Sequence, residues 1–254
     1  MRKSLLALSV LATTVAIPAQ AEYLYGFGDV SINYLDWSNG TEDRTGYQED
    51  FMYLELEGGA GFSWGEVYGF ADLENAENGA DKARTSIKGS ITYKTGLDEL
   101  RLYGQIYNTN SGGFTAQNDV AGISYAFSGE NWFFNPWVGF HHTMTTTTDF
   151  STGNNISFSG MNGGMAGWVL GYNFNIGEQS FSISNWHETE FARNDDYAAV
   201  SGETTDELSA NGALALWWNV TNNVTTGVQY RYTYNKLGTV GNQNAMIYSL
   251  KYNF

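Results

Sequence analysis

Residues 51–72 read Phe-Met-Tyr-Leu-Glu-Leu-Glu-Gly-Gly-Ala-Gly-Phe-Ser-Trp-Gly-Glu-Val-Tyr-Gly-Phe-Ala-Asp. Successive side chains of a strand point to opposite faces, so this stretch reads as a β-hairpin with two unlike faces. On its first arm Met52, Leu54 and Leu56 share one face, while Tyr53, Glu55 and Glu57 share the other. On its second arm Tyr68 and Phe70 lie opposite Val67, Gly69 and Ala71. A soluble sandwich also alternates in this way. What decides against one is recurrence of the pattern to the end of the chain, behind an export signal.

Before the hairpin, a strand over about 24–35 sets Val30, Ile32 and Tyr34 against Asp29, Ser31 and Asn33. After it, strands are expected near 85–93, 99–107, 119–127, 132–143, 164–174 and 179–190. The three closing strands alternate most cleanly, for example Val228, Tyr230, Tyr232 and Tyr234 against Gly227, Gln229, Arg231 and Thr233. Pro136 lacks an N–H and is expected near a strand start or at a bulge. Long polar connections are expected at 36–50, 73–83, 108–118, 144–161 and 191–206, with short turns between. That alternation matches an outer-membrane barrel with short periplasmic turns and longer extracellular loops. The expected fold is all-β: a single transmembrane antiparallel up-and-down β-barrel of 12 strands. Closure leaves no unpaired strand edge in lipid.

The N-terminus supports export. Arg2 and Lys3 precede a mostly apolar run from Leu5 to Ile17, and Ala19-Gln20-Ala21 is a small-x-small cleavage site. Residues 1–21 are therefore expected to be a signal peptide and 22–254 the barrel. The chain has no Cys, so disulfides cannot hold it. Aromatics make up 16% of the residues beside a mean hydropathy of −0.33, a pairing that suits aromatic girdles around a polar lumen. The net charge of −15 becomes −17 without Arg2 and Lys3, which argues against nucleic acid as a partner, since phosphate binding needs a basic surface. Many acids fall in the expected loops, among them Asp43, Glu49, Asp50, Glu77 and Asp81. They read as solvated, or as carboxylates bridged through calcium or magnesium to lipopolysaccharide and other anionic headgroups of the outer-membrane lipid. No calcium-loop motif defines a metal site, and no cofactor is implied.

The hairpin is also specific. Tyr53-Leu54-Glu55-Leu56-Glu57, followed by Trp64-Gly65-Glu66-Val67-Tyr68-Gly69-Phe70-Ala71-Asp72, resembles the signature of the Tsx/OmpK family of outer-membrane nucleoside channels. The ending Tyr252-Asn253-Phe254 is similar too, and its final aromatic residue resembles the terminal signature of outer-membrane barrels. The resemblance implies a monomeric barrel of twelve strands that passes nucleosides and serves as a phage or bacteriocin receptor. At Ser86-Ile87-Lys88-Gly89-Ser90 the chain departs from the family, which has a proline-containing, acidic strand there.

By parity the lumen set includes Asp29, Tyr53, Glu55, Glu57, Lys88, Lys94, Arg101, Tyr103, Trp186, Glu188, Glu207, Trp217, Gln229, Arg231 and Lys251. The pore-lining candidates for solute contact are Tyr53, Glu55, Glu57, Lys88, Arg101, Tyr103, Trp186, Trp217 and Arg231. Tyr and Trp rings would stack on a flat base. Carboxylates and guanidinium groups would bond ribose and base edges. The same charges could instead pair with one another and hold the lumen's shape. Glu55 and Glu57 are expected to pair with Arg231 or Lys88. Two other classes stay open. A receptor or structural barrel would carry its function in the loops. A lipid hydrolase would need an outward Ser–His pair, but spacing identifies none around His141, His142 or His187, so the chain is not read as an enzyme.

Overall fold

A computed structural model describes residues 21–46, 48–149, 151–203 and 208–254. The signal peptide expected over 1–21 lies outside the described residues except for Ala21, and so does Glu207. The strands are β1 Tyr23–Trp37, β2 Phe51–Phe62, β3 Gly65–Glu74, β4 Arg84–Lys94, β5 Leu100–Ser111 and β6 Phe114–Tyr125, then β7 Trp132–Thr148, β8 Asn155–Ile176, β9 Gln179–Phe191, β10 Leu208–Asn219, β11 Val224–Tyr234 and β12 Asn242–Asn253. Phe127–Ser128 continues β6 after a break at Ala126 and pairs with Phe134 and Phe133. Each strand is antiparallel to its sequence neighbours. The first closes on the last, with Asp29 opposite Asn253 and Trp37 opposite Ala245. The result is a closed 12-strand antiparallel β-barrel.

The two faces are inverted relative to a soluble protein. Val30, Ile32, Leu54, Leu56, Ile87, Leu102, Ile106, Leu214, Leu216 and Leu250 are exposed, whereas Ser31, Asn33, Ser86, Gln105, Ser209 and Ser249 are buried. In water this would waste the hydrophobic effect. In lipid it places apolar surface against acyl chains and polar groups in the lumen. Rings cluster on the outer face near the end that carries both termini: Phe62 on Trp64, Tyr125 on Phe127, and the run Tyr172, Phe174, Phe181 and Trp218. They form the girdle of one interface.

Two expected loops are largely strand in the structure. Residues 108–118 are not a loop: β5 and β6 run through them to a tight turn at Gly112 and Gly113. The expected insertion 144–161 is mostly strand, since β7 and β8 continue to Thr148 and from Asn155. Above the lipid both faces of a strand meet water, so the apolar alternation disappears while the ladder persists. Threonines 145–148 still favour extended backbone. The turn itself is fixed by Asp149, whose carboxylate accepts hydrogen bonds from the backbone and hydroxyl of Ser151 and from Thr152; these bonds hold its carboxyl below the usual range. The long–short alternation of connections therefore fails at β5–β6 and holds at the others. Two of the polar loops contain short helices: α1 Asn39–Thr45, capped by Ser38, and α2 Asp195–Ser201, capped by Asn194.

Two irregularities bend the wall. Pro136 lies opposite the break in β6: the β6–β7 ladder stops at Ser124–Trp137 and resumes at Phe127–Phe134. A residue without an N–H fits such a gap. Between Phe140 and His142 the β7–β8 register slips, so that Asn162 and Gly163 oppose His141 alone. This is a bulge with its glycine in the left-handed region, at φ 69°. A Cβ on Gly163 would lie 2.1 Å from the Ala192 carbonyl oxygen, so only glycine fits.

Candidate functional site: the barrel lumen

The inward faces build a stack of side-chain layers. Nearest the termini, Arg101 on β5 binds Glu66 at 2.8 Å and approaches Glu99 at 3.6 Å, and Tyr25 also donates to Glu66. This candidate is thus spent on a rim ion pair, away from the other eight. Lys94 is exposed at the same rim.

One layer further in, Lys251 on β12 takes the acids of the opening hairpin. Its ammonium lies 2.7 Å from Glu57, 3.4 Å from Asp29 and 3.9 Å from Glu55. It also sits 4.8 Å over the Trp217 ring. Tyr68 donates to Glu57 at 2.6 Å, and Trp217 donates to Ser184. The expected partners of Glu55 and Glu57, Arg231 or Lys88, are therefore replaced by Lys251. The reason is closure: β12 docks on β1, bringing Lys251 opposite Ser31, whereas Lys88 and Arg231 lie in the next layer. Oxygens of Asp29, Glu55 and Glu57 lie within 4.8 Å of one another, a spacing that could hold a metal ion. Lys251 supplies the cation there.

In the next layer an ion pair crosses the lumen. Lys88 on β4 reaches across the lumen to an ion pair with Glu188 on β9, which also accepts from Gln105 at 3.1 Å. Tyr103 donates to Gln105 at 2.6 Å and stacks on Trp137 at 4.8 Å. Arg231 lies 4.7 Å over the Trp186 ring, with Lys88 5.9 Å from the same ring. Among the described residues no carboxylate lies within ion-pair distance of Arg231, so its guanidinium has no salt-bridge partner there. Lys88, Tyr103, Trp186, Glu188 and Arg231 are thus brought together, while Glu55, Glu57 and Trp217 form the layer below. Tyr53 faces inward but packs against an apolar cluster of Leu35, Trp37, Phe51, Ala245 and Ile247 toward the far end. Gln229 bonds Ser249 on the wall.

Parity alone left several lining residues out. Across β2–β3, Glu57 opposes Phe70, Glu55 opposes Asp72 and Tyr53 opposes Glu74. Partners in register share a face, so Phe70, Asp72, Glu74 and, two residues back, Tyr68 are inward. Glu74 pairs with Arg84 and accepts from Ser86. Trp137 is inward on the least regular strand, beside Pro136, and Tyr107 shares the parity of Arg101, Tyr103 and Gln105 on β5. The histidines hold structural bonds: His141 to Asn118, His187 to Thr189 and Tyr232, and His142 beside Asp119. None of these partners is a serine.

The family described as nucleoside-specific channel-forming protein, Tsx, matches residues 32–254, nearly the whole barrel. The chain belongs to the Tsx family. A relative is outer membrane protein OmpK of Vibrio parahaemolyticus serotype O3:K6 (strain RIMD 2210633), 28% identical over 240 residues that cover 76% of this chain and 87% of that protein. Among solved structures, a NanC porin shares the fold with a TM-score of 0.51 and 11% identity, covering 88% of this chain and 98% of that one. As a Tsx-family member the chain is an outer-membrane channel, and the family and its neighbours are channel-forming rather than enzymatic. The open ends of the barrel thereby acquire names: the termini and short turns face the periplasm, and α1, α2 and the long hairpins face outward.

Proposed function

We propose that the channel passes nucleosides by weak, layered contacts in the lumen. The observation that carries this reading is the unpaired Arg231 guanidinium held over Trp186 in the lumen. A guanidinium with free donors can bond base edges and ribose hydroxyls, and nearby rings can stack on a base. Tyr103 and Trp137 supply a second aromatic pair at the same layer. Twelve strands enclose a lumen between the filled eight-stranded and open sixteen-stranded cases, wide enough for one flat solute at a time. Contacts must remain weak, because conduction needs release as well as entry.

Expected lipid and lipopolysaccharide contacts follow from the outer face, and a monomer suffices because one chain closes the barrel. The Glu55 layer contributes by tuning the field along the path. Glu55→Gln is expected to change conductance or nucleoside uptake. The direct test is uptake by proteoliposomes of labelled adenosine against ribose and sucrose. Adenosine should enter several-fold faster than ribose despite its larger size. Entry ranked by size alone would remove the nucleoside reading and leave a general diffusion pore.

The alternative of a receptor barrel without transport draws support from one feature, the short helices α1 and α2 carried by the outer loops. Phage or bacteriocin binding would then involve the α1 and α2 loops.

A further inference from the structure

The described part of the β9–β10 connection, residues 192–203, does not stand away from the barrel. It folds back onto inward-facing residues of the outer mouth. Tyr197 on α2 is buried and packs its ring edge-on against Phe158, an inward residue opposite Thr145. Ala198 beside it is 1% exposed. Below them Arg193 binds Glu190 at 3.0 Å and pairs with Glu203, and Lys236 from the β11–β12 loop pairs with Glu190. The Arg193 and Glu190 side chains are almost fully buried. Ser209 also donates to Glu190 at 2.9 Å. Two cations and two carboxylates therefore form a neutral cluster across the mouth. The Asn194 backbone N–H donates to Asn162 on the β8 bulge at 2.8 Å, and Asn162 lies against His141.

We propose that residues 192–203 are a hinged plug, latched by the Glu190–Arg193–Glu203–Lys236 cluster, and that solute enters from outside only when the latch breaks. This rests on the reading of the chain as a channel. Three observations carry it. First, the plug is held mainly by ion pairs and hydrogen bonds. Its buried apolar anchors are Tyr197 and Ala198, and such a segment opens at lower cost than the barrel unfolds. Second, left-handed residues stand at its two ends, Ala192 at φ 53° and Gly202 at φ 70°. Third, the lumen beneath the plug contains the unpaired Arg231 guanidinium. A charge without a counter-ion is tolerated where water or solute reaches it, so the space below the plug is a path and not a sealed core. The α1 loop closes the other side of the mouth: Thr41 bonds the Asn244 backbone, and Gln48 bonds Gln243. Its apolar underlay of Leu35, Trp37 and Phe51 makes it the fixed half.

The test uses the full chain in planar bilayers, in plain KCl, with uridine then added to the same channels. Folding of each variant is checked by its heat-dependent shift in gel migration. Arg193→Gln with Lys236→Gln should raise the open fraction about tenfold or more over wild type, and Arg193→Lys should restore closure. Replacing residues 194–202 by a Gly-Ser turn should leave the pore open. A second readout needs no loss of charge. Ala198→Cys in this cysteine-free chain should react slowly with a membrane-impermeant maleimide, and many-fold faster when Arg193→Gln is added. Equal open fractions in wild type and latch variants, a conductance lowered by the replacement, or fast labelling of Ala198→Cys alone would each overturn the proposal. A latch effect without uridine block would keep the plug and remove the nucleoside reading; block without a latch effect would do the reverse.

Discussion

Lys251→Met removes the ammonium that neutralises three carboxylates while leaving a side chain of nearly the same length. The ammonium lies 2.7 Å from Glu57, 3.4 Å from Asp29 and 3.9 Å from Glu55, with all four side chains mostly screened from water. Removing one partner of a buried ion pair costs about 3–5 kcal/mol, chiefly because the other charge is stranded. Glu55 and Glu57 keep partial access to lumen water, which places the expected loss at the lower end, about 3 kcal/mol. With a urea dependence of about 2–3 kcal/mol per molar, the unfolding midpoint in micelles should fall by roughly 1 M. The loss should be relieved by removing a stranded charge. Adding Glu57→Gln to Lys251→Met should recover about 1 kcal/mol or more, whereas Glu57→Gln alone should destabilise, giving a coupling of opposite sign to simple addition. The reversal potential in a KCl gradient should also move toward stronger cation preference, since the lumen loses one positive charge. An unchanged midpoint for Lys251→Met, or Glu57→Gln deepening its loss, would refute the assignment of Lys251 as the counter-ion of this layer.

Other perturbations address other layers. Lys88→Met removes the pair that crosses the lumen to Glu188 and should raise single-channel conductance about twofold or more; an unchanged conductance would show that this pair is not the constriction. Trp186→Ala removes the ring beneath Arg231 and, at about 1–3 kcal/mol per stacked base, should weaken nucleoside block roughly 5- to 150-fold, measured as the half-blocking concentration. Gly163→Ala forces a side chain into a left-handed position already filled by the Ala192 carbonyl and should cost at least about 1–2 kcal/mol, seen as a lower urea midpoint than that of Gly153→Ala, where the glycine is also left-handed but nothing lies near.

Much of the barrel was legible because lipid imposes a simple rule on every crossing strand. Ile32, Leu54, Ile87, Leu102 and Leu250 sit outside, and Ser31, Glu55, Lys88, Tyr103 and Lys251 sit inside, as their alternation requires. The rule stops where the lipid stops. Thr145 and Phe158 are strand residues above the membrane, yet their neighbourhood reads as loop because water bathes both faces. Ser38 and Asn194 are good helix caps, but each heads a helix too short to show a period. Parity assigns a face but neither a height nor a bearing around the barrel. Hence alternation puts Lys88 and Arg231 on the inner face but cannot say which carboxylates they meet. Only the closure of β12 on β1 shows that Lys251, from the far end of the sequence, meets Asp29 and Glu57. Likewise Leu35, Trp37 and Phe51 face inward as an apolar patch under α1, a position that no alternation of polar and apolar residues would suggest.

The most direct test of the account is single-channel recording from the purified protein in a planar bilayer, with uridine and adenosine added in steps. The account predicts small channels whose current is interrupted by each nucleoside in proportion to its concentration, with ribose at equal concentration leaving the current unaffected. Channels that conduct salt and ignore nucleosides at millimolar concentration would contradict it.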